Sequence, residues 1–80
     1  MGNHIEIHPI KTQDDEVLAK PPSLRPNYIV EVAGNNEVVS YSEPYYDRST
    51  ARKAAQGTGL PIKEFDEDGK EREKRGYTRS

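Results

Sequence analysis

The sequence has no cysteine and few large apolar side chains. Isoleucine, leucine, valine and phenylalanine make up 14 of its 80 residues, less than the one-fifth that usually accompanies a complete hydrophobic core. Without cysteine the chain forms no disulfide and no thiolate zinc site, the two commonest supports of very small domains. A chain of this length holds one small domain and has no room for a separate catalytic domain.

Long apolar runs are also missing, since none exceeds two or three residues. We therefore expect neither a membrane span nor a secretory signal, and a cytoplasmic location. The formal net charge is -2 at pH 7, which gives no general attraction to polyanions such as nucleic acids.

Composition divides the chain into three parts. Residues 1–27 are expected to form an N-terminal strand and a flexible, proline-containing leader. Residues 28–68 should be a compact ββα(β) domain, and residues 69–80 a charged, disordered tail. The strand is predicted at 3–10, where apolar and polar residues alternate. From Lys11 to Asn27 the periodicity is lost, which favours a disordered linker.

A β-hairpin is predicted over residues 28–41. Two runs rich in β-branched and aromatic residues flank Gly34-Asn35-Asn36, whose residue types tolerate a positive φ. Tyr28, Val30 and Val32 alternate along the first strand, so we expect that set to point inward.

A short helix is predicted at about 48–57. Asp47 or Ser49 can cap its start, and Gly57 or Gly59 can end it. Its buried stripe is alanine throughout, at positions 51, 54 and 55. Residues 60–65 can return as an edge strand. The fold class is therefore α+β, a small antiparallel sheet packed by one short helix.

The sequence offers no set of residues for catalysis. His4 and His8 are the only imidazoles, and on a strand they project from one face roughly 13 Å apart, too far to share one metal ion. A calcium-loop pattern beginning at Glu64 fails because Arg72 and Arg75 stand where acids are required. We predict no catalytic, cofactor-binding or metal-binding residue, no cofactor and no enzymatic activity.

A binding surface is the remaining option, and we predict a non-enzymatic interaction module. The expected partner is a protein or a second copy of the chain, because so small a sheet leaves its edges uncovered. A phage or prophage accessory protein is our hypothesis for its origin. Nucleic acid is the alternative partner, which the net charge does not favour. The candidate binding residues combine tyrosines with cations of the helix and tail; they are Tyr41, Tyr45, Tyr46, Arg48, Arg52, Lys53, Arg72, Lys74 and Arg75.

The pattern from Tyr28 to Ala55 resembles the YegP-like family of small bacterial ββα proteins of unknown function. The shared features are the Gly34-Asn35-Asn36-Glu37 turn, Val38-Val39, Ser42-Glu43, an aromatic residue at 45 or 46, Ser49, and alanines at 51 and 54. The turn lacks the family's glycine after asparagine, and the helix is shorter. The resemblance implies a ββα fold that associates through its sheet, and it supplies no catalytic residues.

Overall fold

A computed structural model describes residues 2–66, which form a four-stranded mixed sheet with one longer helix on one face. The α+β class is thereby confirmed. The strands are β1 (His4–Pro9), β2 (Asn27–Val32), β3 (Val38–Tyr41) and β4 (Ile62–Glu64), and the helices are α1 (Asp15–Leu18) and α2 (Arg48–Gln56). The predicted tail, 69–80, lies outside the described residues.

The strand order is β3-β2-β1-β4, so the N-terminal strand is central and β3 and β4 are the edges. β1 pairs antiparallel with β2, placing Ile7 opposite Ile29. β2 pairs antiparallel with β3, with a bulge at Glu31/Val32. β4 pairs parallel with β1, which makes the sheet mixed where sequence reasoning expected a wholly antiparallel one.

Helix α2 connects the two edge strands by crossing one face of the sheet. Asp47 caps its start, because the carboxylate accepts the Thr50 amide hydrogen at 2.9 Å. Gly57 continues the helical conformation, and Gly59 supplies the positive φ, at 74°. Two of the three predicted alanines, Ala51 and Ala55, are fully buried against Ile5 and Ile7. The small alanine side chains let the helix lie close to the sheet.

The hairpin is confirmed, with positive φ at Asn36 rather than Gly34. The prediction that Tyr28, Val30 and Val32 point inward is confirmed for the two valines, but α2 does not cover their face. Register with β1 places Ile29, and not Val30 or Val32, on the face that α2 covers. Val30 and Val32 are nevertheless only 4% and 5% exposed. They are buried on the other face, which we call the open face.

The segment between β1 and β2 is another difference from the prediction, because it is folded where a disordered linker was expected. It contains α1 and a 3-10 turn at Pro22–Leu24. The buried Arg25 side chain donates hydrogen bonds from Nε to the carbonyls of Val17 and Lys20, and from Nη2 to that of Leu18. One guanidinium therefore binds three carbonyls at the C-terminal end of the short helix.

Candidate binding surface

Strand β3 is the most exposed strand of the sheet. Val38, Val39 and Tyr41 have 48%, 54% and 67% of their surface accessible. All four residues of β3 are exposed, whereas every other strand has buried or half-buried residues. We refer to residues 37–43 as the β3 edge.

The β3 edge also offers backbone groups for hydrogen bonding. The Ser42 amide donates to the Ile29 carbonyl at 2.9 Å, and the Ile29 amide donates to Ser42 Oγ at 2.9 Å. Successive residues of a strand direct their backbone groups to opposite sides. The N–H and C=O of Tyr41 therefore point away from β2, outward from the edge of the sheet and roughly in its plane. Outward-pointing backbone groups of an edge strand can pair with one more strand.

The open face carries a row of rings in contact beside this edge. The His8 imidazole lies between Phe65, at a centroid distance of 4.4 Å, and Tyr28, at 5.5 Å. Tyr41 continues the row at 6.2 Å from Tyr28. Partial burial, with Tyr41 and the Glu6 charge nearby, raises the pKa of Tyr28. Both faces of the imidazole are covered by neighbouring rings, so His8 offers no free stacking surface to a ligand.

Glu6 joins the two histidines on the open face. Its Oε2 and Oε1 each lie 2.9 Å from an Nε2 atom, of His4 and His8 respectively. An ionised carboxylate only accepts, so each imidazole donates through Nε2–H. Burial alone would raise the pKa of Glu6, but these two hydrogen bonds and the charges of the histidines outweigh burial and lower the pKa. The sequence pattern placed the histidines on one face without revealing the carboxylate between them.

Arg48 is not part of an exposed surface, contrary to the prediction. Its side chain is 2% exposed, donates from Nε to Asn27 Oδ1 at 3.2 Å and from Nη2 to the Phe65 carbonyl at 2.7 Å. Asp66 lies 3.8 Å from Nη1. Arg48 thereby ties the start of β2 to the chain after β4, and it is structural.

The other predicted binding residues are dispersed. Arg52 donates to both oxygens of Glu64, at 2.6 and 2.9 Å. Tyr45 is half-buried against the core, while Tyr46 and Lys53 are exposed. Only Tyr41 lies on the β3 edge. Arg72, Lys74 and Arg75 are outside the described residues.

Sequence reasoning missed Val38 and Val39 as binding candidates. The sequence did indicate that one of them would lie away from the core, since two adjacent valines in one strand cannot both face it. The exposure of both was not foreseeable, because β3 could equally have been covered by another strand. The topology decides this by placing β3 at the edge.

Within residues 2–66 no group of three or more histidine, aspartate or glutamate side chains could hold a metal ion. In the same part of the chain the longest helix, α2, has nine residues, and none is long and apolar enough to cross a bilayer.

Comparisons with family models, with curated proteins and with solved structures gave no match. The resemblance to the YegP-like family therefore stays a prediction.

Proposed function

We propose that this protein is a non-enzymatic interaction module that binds an extended strand of a protein partner, or of a second copy, along the β3 edge. The observation that carries the proposal is an open edge strand whose three large apolar side chains are about half or more exposed. Strand addition uses backbone hydrogen bonds for affinity and alternate side chains for specificity. The phage or prophage origin stays a prediction.

The alternative partner, nucleic acid, has less support. Of the three helix cations predicted to contact phosphate, Arg48 is buried and Arg52 is paired with Glu64. Lys53 alone is exposed without a partner among residues 2–66. Affinity for nucleic acid depends on several cations contacting phosphates together. The described part of the chain does not bring such a set together.

Val39→Lys tests the proposal. A lysine on an edge strand disfavours pairing with another strand, and an exposed position tolerates the change within about 0.5 kcal/mol of stability. We expect wild-type protein immobilised as bait to retain a partner that the variant does not retain, or light scattering to show a dimer that the variant loses.

Lys53→Ala is the matched control, because Lys53 is exposed on α2, away from the β3 edge. It should retain whatever the wild type retains. The proposal is wrong if Val39→Lys leaves both the captured proteins and the oligomeric state unchanged while the protein stays folded.

A further inference from the structure

The β3 edge lies within the longest stretch of the described chain that contains acids but no cation. Residues 31–47 contain four acids, Glu31, Glu37, Glu43 and Asp47, and no lysine, arginine or histidine. The whole chain carries a formal charge of only -2. The acidity is therefore local, and it surrounds one strand.

Two of these four acids already have structural roles. Glu31 accepts a hydrogen bond from Asn3 Nδ2 at 2.8 Å. Asp47 caps α2, accepting from the Thr50 amide at 2.9 Å and from its hydroxyl at 2.8 Å. The cap also lowers the pKa of Asp47. Neither carboxylate is needed for recognition.

The other two acids, Glu37 and Glu43, are exposed, and their side chains make no hydrogen bond or ion pair with any residue between 2 and 66. They stand at opposite ends of β3, six residues apart. At about 3.3 Å per residue this spacing is on the order of 20 Å, somewhat less where the strand is twisted. Between them lie Val38, Val39 and Tyr41. The edge thus has an apolar centre and an acidic group at each end.

This arrangement disfavours a second copy of the chain. A two-fold antiparallel pairing of β3 with itself, centred on Ser40, would set the Glu37 end of each copy against the Glu43 end of the other. Like charges directly opposite each other on paired strands are destabilising. Complementary charge requires a strand with cations at its ends.

We propose that the β3 edge binds an extended segment of another protein, with lysine or arginine at both ends of about seven residues and β-branched or aromatic residues between them. This inference rests on the proposed function and adds the chemistry of the partner. The segment pairs its backbone with Tyr41 and places its cations beside Glu37 and Glu43.

The test uses two capped synthetic peptides, Lys-Thr-Val-Tyr-Val-Thr-Lys and its twin with glutamate at both ends, titrated into the full chain. Amide NMR shifts report the site and the Kd. We expect the basic peptide to shift the amides of residues 38–41 and to bind at least tenfold more tightly than the acidic twin. The double variant Glu37→Lys/Glu43→Lys should invert this preference.

Two controls separate pairing from general charge attraction. N-methylation of alternate peptide amides removes backbone donors while keeping the charge, so it should abolish binding. Glu16→Lys makes the same charge change per site on the exposed surface of α1, and it should leave the Kd of both peptides unchanged within twofold.

The outcomes distinguish the inference from the function on which it rests. Equal binding of both peptides at residues 38–41 overturns the basic partner but supports strand capture. A dimer lost in Val39→Lys assigns the edge to a second copy and overturns the inference. The triple variant Arg72→Glu/Lys74→Glu/Arg75→Glu tests the chain's own basic segment as the occupant. If hydrogen exchange of the β3 amides changes in this variant, that segment occupies the β3 edge and the inference is wrong. If neither peptide shifts the amide NMR signals of β3, both the inference and the proposed function are contradicted.

Discussion

The two faces of the sheet carry different kinds of side chains. The face under α2 is aliphatic, with Ile5 and Ile7 packed on Ala51 and Ala55. Among residues 2–66 no helix covers the open face. There the cross-strand neighbours of the buried Val30 and Val32 include His4, Glu6 and Tyr41. There His8 stacks between two rings and Glu6 accepts from two imidazoles.

The difference shows how a chain with few large aliphatic residues can still order both sides of a sheet. Apolar burial contributes roughly 25 cal/mol per Å², and the helix face uses most of the isoleucines for it. The open face adds ring contacts and charge-assisted hydrogen bonds, each of which contributes about 0.5–3 kcal/mol, to the burial of Val30 and Val32. We therefore expect substitutions of the core residues under α2 to cost more than substitutions of the polar residues on the open face.

The largest effect is expected for Ile7→Ala. Ile7 is fully buried at the centre of the helix-covered face, so its truncation leaves a cavity as well as losing transfer free energy. We expect a loss of about 3 kcal/mol in the free energy of unfolding, measured by urea denaturation followed by circular dichroism. Leu24→Ala, at an exposed position, is the control and should cost less than about 1 kcal/mol. Equal losses would contradict the assignment of the core.

The next effect is expected for Ala55→Leu, which enlarges a side chain with no free space between α2 and the sheet. Overpacking should cost about 2 kcal/mol, because the helix must move away from Ile5 and Ile7. Ala54→Leu makes the same change one residue earlier at a half-exposed position and should stay within about 0.5 kcal/mol. A harmless Ala55→Leu would show that helix and sheet are not in close contact.

The smallest effect is expected for Glu6→Gln on the open face. It removes a charged acceptor from two imidazoles and should cost about 1 kcal/mol at pH 7. Because the folded state lowers the pKa of Glu6, this stabilisation is present above the ordinary pKa of about 4.3 and is lost as the pH falls through the folded value. The titratable or charged groups around Glu6 are His4 and His8, with Lys63 opposite it on β4.

Urea denaturation of wild type and variant between pH 3 and 7 measures the change, with Glu37→Gln as the exposed control. The two unfolding free energies should converge as the pH falls below about 4. A difference between wild type and Glu6→Gln that is constant with pH would show that the carboxylate charge does not act in the histidine pair. A loss as large as that of Ile7→Ala would contradict the proposed difference between the faces.

The local elements were predictable because their signals lie within a few residues. The Asp47 cap, the alanine stripe and the Asn36 turn depend on neighbours in the chain. The strands at 3–10 and 60–65 were also indicated, since alternation and β-branched residues mark a strand wherever it pairs.

Long-range outcomes were not predictable from such signals. The burial of Arg25 depends on the carbonyls of residues 17, 18 and 20, which come together only once α1 has formed. Arg48 is drawn inward by Asn27 and the Phe65 carbonyl, 21 and 17 residues away. Both faces of β2 contain apolar residues, so periodicity could not say which one α2 covers. The exposure of β3 followed only from strand order.

The central position of β1 has a consequence for synthesis. This strand leaves the ribosome before both of its neighbours, yet its parallel partner at Ile62 lies 57 residues further along the chain. Until that partner emerges, the nascent chain holds an unfinished sheet with Ile5 and Ile7 uncovered. Sequence-distant pairings slow folding, so we expect the pairing of β1 with β4 to be a late step in assembly.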